Sequence, residues 1–309
     1  MGVSKISCRC YLKQGAGLYS DRPFSDPVNV LYALKNMMRQ LDREMFLVVH
    51  LNKDMAPKSF HICSIGTINA SLISPHEIFK AAILDEADYI LLLHNHPSGD
   101  PTPSDADLQI TKRIVEAGRF WRVPVVDHIV VGDGIGHKEL ASVRADYGQV
   151  WSMPKLMEAS HGLREVVVRI KPSEKAGIRA HNPEYAARSM VPDIGGIGKD
   201  QILVTAMSTK MELINAFRIP LDKAKRKDQI RQVLKGALLN NAACLMLFTG
   251  NWPDFPEPGL IGTWVNYGDL LQMPVVDCIS LAADKYRSAR EEGHLPQAKH
   301  LWKSREAEL

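Results

Sequence analysis

The sequence predicts an α/β protein built as two tandem domains, each a mixed central sheet flanked by helices. Three observations predict it. The chain has 309 residues, more than one ordinary domain holds. Apolar, β-rich runs alternate with helical stretches along it. The order of those runs in the first half returns in the second, the mark of a duplication. With 45% hydrophobic and 24% charged residues, each half can bury its own core without covalent staples.

The elements follow in order. Leu41–Lys53, LDREMFLVVHLNK, opens polar and runs into an apolar stretch, as a buried strand does. Pro75–Asp85 reads as a helix leading into a strand over Tyr89–Leu93. Ser104 has the character of an N-cap, with a helix to about Ala117 that Gly118 closes. In the second half, Gly198–Lys210 matches Leu41–Lys53, and Ala242–Phe248 matches Ala87–Leu93. A loop with Pro256 and Pro258 then answers one with Pro101 and Pro103. MPVVDCI, Met273–Ile279, answers VPVVDHI, Val123–Ile129. The predicted organisation is a first domain over 1–150, a linker over 151–164 and a second domain over 165–309, whose charged tail from about Ala282 reads as helical.

Several function classes fall away. Net charge is only +3, which argues neither for nor against a nucleic-acid partner. The five cysteines, Cys8, Cys10, Cys63, Cys244 and Cys278, include no CxxC pair, so neither a disulfide framework nor a cysteine zinc knuckle is expected. No apolar run approaches the ~20 residues of a membrane span, and a cytoplasmic protein with no membrane partner is the expectation. There is no P-loop, and the glycines at 132–136 and 195–198 do not fit GxGxxG. Lys223, Lys225, Arg226 and Lys227 read as a solvated helix start. Trp252, Phe255 and Trp264 read as core or loop-packing aromatics, or as a stacking surface if exposed.

Chemistry concentrates in LLLHNHPSGDPTPSDAD, residues 91–107. His94 and His96 stand two apart beyond an apolar strand, so both imidazoles face one side and can converge on one ion. Asp107 falls in the first turn of the next helix and offers a carboxylate oxygen. Two imidazoles and one carboxylate leave a fourth tetrahedral position for water, the arrangement of catalytic zinc. Zn²⁺, one per chain, suits this thiolate-free set best, with Fe²⁺ and Mn²⁺ as alternatives. Ser104 and Asp107 also read as a capping pair, and the two readings are compatible.

The spacing H-x-H, seven residues, Ser, two residues, Asp is similar to the JAMM (MPN-plus) metalloprotease pattern. The longer string, SIGTINASLISPHEIFKAAIL through HNHPSGDPTPSDADLQITKRIVEAG to VPVVDHIVVGDG, resembles the RadC-like branch of that superfamily over roughly residues 25–148. The resemblance implies a JAB/MPN fold, a cytidine deaminase-like layered arrangement. It makes His94, His96 and Asp107 zinc ligands, Ser104 a stabiliser of the oxyanion, and Glu44 the general base for metal-activated water. Asp42 and Glu77 compete with Glu44 for that role. Asp127 and His128 recur in the RadC-like pattern, either to orient a ligand histidine or as buried structural groups.

The implied activity is hydrolysis of a peptide or isopeptide bond in a protein or peptide substrate. The alternative is a RadC-like factor associated with DNA or a mobile element, cleaving a phosphodiester or only binding nucleic acid. In the second copy, Gln201, Thr249, Asn251, Gly259 and Gly262 align with Glu44, His94, His96, Ser104 and Asp107. That copy therefore reads as degenerate, serving pseudo-dimeric packing within the chain or substrate docking.

Overall fold

The apolar runs become the inner strands of two sheets. They are seen in a computed structural model that describes residues 8–19, 32, 34–35, 37–38, 41–66, 73–136, 138–146, 162–172, 178–180, 182–193, 196–251, 253–282 and 285–299. The chain divides into two compact units, Tyr11–Arg169 and Ile170–Leu309 with Met1–Cys10.

The first sheet comprises β1 (Cys8–Tyr19), β2 (Met45–Leu51), β3 (Pro57–Ile65), β4 (Tyr89–Asn95), β5 (Val125–Val131), β6 (Leu140–Ser142) and β7 (Gly162–Pro172). Their order is β1-β7-β3-β2-β4-β5-β6. β2 runs antiparallel to β3 and β4, whereas β4 and β5 are parallel. A parallel step needs a crossover, and the helix Asp105–Trp121 provides it. With period-two alternation, Leu47, Val49, Leu91 and Leu93 enter one core together with Met45, Phe60 and Val131. The helix packs on the opposite face, where its Thr111 meets His128 of β5.

Two helices pack on the first sheet. α1 (Pro75–Leu84) starts at a proline whose missing N–H costs nothing there. α2 (Asp105–Trp121) starts after Ser104, as expected, but does not end at Gly118. It runs on to Trp121 and stops at Arg122, which is left-handed at φ 62°. Gly118 serves a close approach instead, since a Cβ there would stand 2.7 Å from the Val123 carbonyl oxygen. Of the linker expected over 151–164, residues 151–161 lie outside the described residues, and the remainder opens β7.

The second unit contains β8 (Gln201–Met207), β9 (Leu213–Pro220), α3 (Lys227–Leu239), β10 (Cys244–Thr249), α4 (Pro258–Leu270), β11 (Val275–Leu281) and β12 (Tyr286–Ser288). Its sheet order, β12-β11-β10-β8-β9, and its pairing directions repeat those of β6-β5-β4-β2-β3. Leu203, Met207, Met246, Phe248 and Ile279 fill its core.

Register revises part of the alignment between the two halves. Gln201 pairs with Pro220 as Met45 pairs with Ile65, so Asp200, not Gln201, stands in the place of Glu44. Thr249 pairs with Ile202 as His94 pairs with Phe46, which keeps Thr249 opposite His94. In the helix, Gln272 (φ 56°) takes the left-handed place of Arg122, and Gly268 that of Gly118. Counting back, Asp254 and Glu257, not Gly259 and Gly262, fall opposite Ser104 and Asp107. The cause is a shorter path from strand to helix end in the second unit, mostly a helix of 13 residues against 17, across which a constant offset does not hold.

The tail differs as well. From Tyr286 it forms β12, because Ser288 bonds to the buried Asp277 of β11 and carries the chain back along that strand. Turns follow to residue 299, and 300–309 lie outside the described residues. Among the described residues no helix is long and apolar enough to cross a membrane.

Candidate metal centre

β4 ends at Asn95, which delivers His94 and His96 to one side at the strand's end. α2 begins beside them, and its capping box fixes Asp107: the Ser104 N–H and hydroxyl donate to Oδ2 at 2.8 and 2.6 Å, and the Asp107 N–H donates back at 3.2 Å. The result is a convergence. His94 Nε2 lies 2.9 Å from His96 Nε2 and 3.4 Å from Asp107 Oδ1, and His96 Nε2 lies 3.5 Å from Asp107 Oδ2. Ligands held tetrahedrally at zinc distances stand ~3.3 Å from one another. The three side chains therefore fit three corners of such a shell. Among the described residues they form the one cluster of three His, Cys, Asp or Glu close enough to hold an ion.

The loop after β4 holds this geometry. His96 Nδ1 donates to the Asp100 carbonyl at 2.8 Å, which leaves its Nε2 as a bare lone pair turned to the cluster. Gly99 is needed at φ 85°, and a Cβ there would stand 2.3 Å from Asp133 Oδ2. Backbone bonds from Gly99 to His96 and from Asp133 to Gly99, each 3.0 Å, close the loop over β5.

Charge supports the same reading. Burial pushes the Asp107 carboxyl up, but its contacts with His94 and His96 outweigh that and hold the group well below the usual carboxylate range. The bond to Asp107 in turn holds the His96 imidazole above its usual range. The cluster thus favours positive charge between the imidazoles and the carboxylate.

Glu44 precedes β2 and lines a cleft of about 270 Å³ with His96, Pro97, Ser98, Ser104, Ala106, Asp107 and Ile110. Its competitors are engaged elsewhere: Asp42 pairs with Arg43 at 2.9 Å, and Glu77 accepts from Lys80 at 2.7 Å. Asn95, not singled out by sequence reasoning, ties Glu44 to the histidines. Its Oδ1 accepts from Met45 N–H at 2.7 Å and its Nδ2 donates to the Arg43 carbonyl at 3.1 Å, gripping the backbone on both sides of Glu44. The signal was its position inside H-N-H, where alternation turns it away from the two ligands.

The structure separates Asp127 from His128. Asp127 Oδ1 accepts from the backbone of His128 and Arg144, and Oδ2 from Ser142 Oγ at 2.6 Å, which pins β6 to β5. Asp277 does the same for β12 with Cys278, Arg290 and Ser288. This aspartate is structural. His128 instead meets His94, Nε2 to Nδ1 at 2.8 Å, and Thr111 Oγ1 at 2.5 Å. Burial and the nearby His94 hold it well below the usual imidazole range, hence neutral.

In the second unit, Glu257 pairs with Lys225. Trp264 is fully buried with its indole N–H on the Ala224 carbonyl, so it belongs to the core. Phe255 is half-buried under Arg287, and Trp252 lies outside the described residues.

Residues 24–146 match the family of RadC-like JAB domains. Similar curated proteins carry the name UPF0758. One from Caldanaerobacter subterraneus subsp. tengcongensis is 47% identical over 112 residues, which cover 36% of this chain and 48% of the relative. One from Moorella thermoacetica is 46% identical over 109 residues, 35% of this chain and 48% of the relative. One from Desulfitobacterium hafniense is 38% identical over 139 residues, 43% and 61% of the respective chains. The chain spans about half the length of the first two relatives.

Proposed function

We propose that the first unit, whose residues 24–146 match the family of RadC-like JAB domains, is a zinc-dependent hydrolase of JAMM type, cleaving a peptide or isopeptide bond in a protein or peptide substrate. The observation that carries this reading is the convergence of His94, His96 and Asp107, of which His96 and Asp107 line one cleft with a second carboxylate, Glu44. His94, His96 and Asp107 would hold the zinc, which when bound would supply Lewis acidity to polarise a carbonyl and lower the pKa of water. Glu44 takes the proton of the attacking water and passes it to the leaving amine. The Ser104 hydroxyl, at the cleft wall, donates to the developing oxyanion once it turns from Asp107. No lysine or arginine is among the described residues lining the cleft, which weighs against phosphodiester cleavage, where cationic groups commonly clamp the phosphate.

The second unit is, on this reading, a degenerate JAB/MPN-like copy in tandem, without a metal centre, serving substrate docking or pseudo-dimeric packing. The repeated sheet order and pairing directions support it.

The test is elemental analysis with hydrolysis assays on the full chain and on Glu44→Gln. We expect one zinc per chain in both proteins. Peptide or isopeptide hydrolysis should fall by ~10²–10⁴-fold in the variant, the usual worth of a general base. A wild-type protein that takes up no zinc on reconstitution, or that cleaves DNA and no peptide, overturns the proposal.

A further inference from the structure

We infer that Thr111 and His128 are positioning residues that set the tautomer of His94, turning its bare Nε2 toward the metal cluster. The inference rests on the metal-site reading of His94 and extends it to groups beyond the cleft. With both rings neutral, the contacts leave one arrangement of protons. Thr111 Oγ1 stands 2.6 Å from the Asp107 carbonyl oxygen, one helical turn back. A carbonyl only accepts, so the proton in that contact is the threonine's single hydroxyl proton. Thr111 can then only accept from His128 Nδ1 at 2.5 Å, which makes His128 the Nδ1–H tautomer. Its Nε2 is consequently a lone pair, and the 2.8 Å contact to His94 Nδ1 must hold the proton of His94. That leaves His94 Nε2 unprotonated.

The chain of donors thus runs from His94 through His128 and Thr111 to the carbonyl of Asp107, itself a proposed ligand. His94 and His128 are fully enclosed, and Thr111 with them, so no water substitutes for a missing link. His96 reaches the same state by a separate route, through Asp100. Two lone pairs then face each other at 2.9 Å, an arrangement that a cation between them stabilises. In the second unit, register sets Thr249, Cys278 and Ile261 in the places of His94, His128 and Thr111. The three members of the relay are absent together there.

The decisive measurement is histidine ring ¹⁵N NMR on the full chain, metal-free, with the signals of His94 and His128 assigned by substitution. The expected result is Nδ1–H on both rings at neutral pH. Nε2–H on His94 overturns the inference, and this readout stands whether or not the protein proves to be a hydrolase. A second arm measures zinc affinity by chelator competition in Thr111→Val and Thr111→Ser. The valine variant, nearly isosteric but unable to accept, should lose ~10–100-fold in affinity, the usual cost of removing such a support. The serine variant, which keeps the hydroxyl, should restore it. Unchanged affinity in Thr111→Val overturns the inference, while loss of peptide hydrolysis with affinity and tautomers as expected counts only against the hydrolase reading.

Discussion

Asn95 shows how one side chain can couple two parts of a site. It sits between the two histidines, yet its hydrogen bonds go to the backbone of Arg43 and Met45. Removing it should let Glu44 drift while leaving the ligands in place. For Asn95→Ala we predict hydrolysis slowed on the order of 10²-fold, the scale of a 1 Å misplacement, with zinc content unchanged. A parallel loss of zinc would instead make Asn95 a support of the ligands. The titration of His96 leads to a second expectation. Its folded pKa is raised, chiefly by the hydrogen bond to Asp107, so in metal-free protein the pair contributes stability fully below about pH 6.5. That stability is lost as pH rises through the folded value. Asp107 is shifted the other way, so its share is present above about pH 3.9 and fades only in stronger acid. With zinc the trend above pH 6.5 reverses, because the metal competes with the proton on His96. Melting temperature against pH, with and without zinc, reads both slopes. Parallel curves would remove His96 from the metal site.

At the scale of elements, α2 does two things with the same residues. Ser104 Oγ accepts from the Asp107 N–H at the helix start, and the Ser104 N–H and hydroxyl donate to the Asp107 carboxylate in return. The capping reading and the ligand reading of S-x-x-D are therefore one structure. Ser104→Ala should cost about 1 kcal/mol of stability, the usual worth of an N-cap, and should also slow hydrolysis beyond what that loss explains. Denaturant unfolding set beside steady-state rates separates the two effects, and equal activity in the folded variant would leave Ser104 a cap only. The aspartates at β5 and β11 teach the converse lesson. Asp127 lies next to His128 in sequence, but alternation along the strand turns the two apart, one to a hairpin and the other to the site.

Across the whole molecule, five strands of the first sheet and the five of the second share one order, while among the described residues only the first unit carries the cluster. Zinc should stay at one per chain in Thr249→Ala with Glu257→Gln, and should vanish in His94→Ala with His96→Ala. A second zinc that the first pair of substitutions removes would place a centre in the second unit.

The amino-acid sequence alone makes legible the sheet-and-helix alternation and the grouping of His94, His96 and Asp107, because these are written in short-range terms: period-two apolar runs, an H-x-H at a strand end, a helix cap at fixed spacing. It carried less well across connections. The extent of α2, the return of the tail as β12, and the counterparts Asp200 and Glu257 all followed from pairing register and chain return, which no local pattern encodes. Only the tertiary structure decided the roles of Asn95, Thr111 and His128. Their partners lie on other elements, 17 to 52 residues away in sequence for the contacts that matter, and a hydrogen bond between distant residues exists only once the chain has folded.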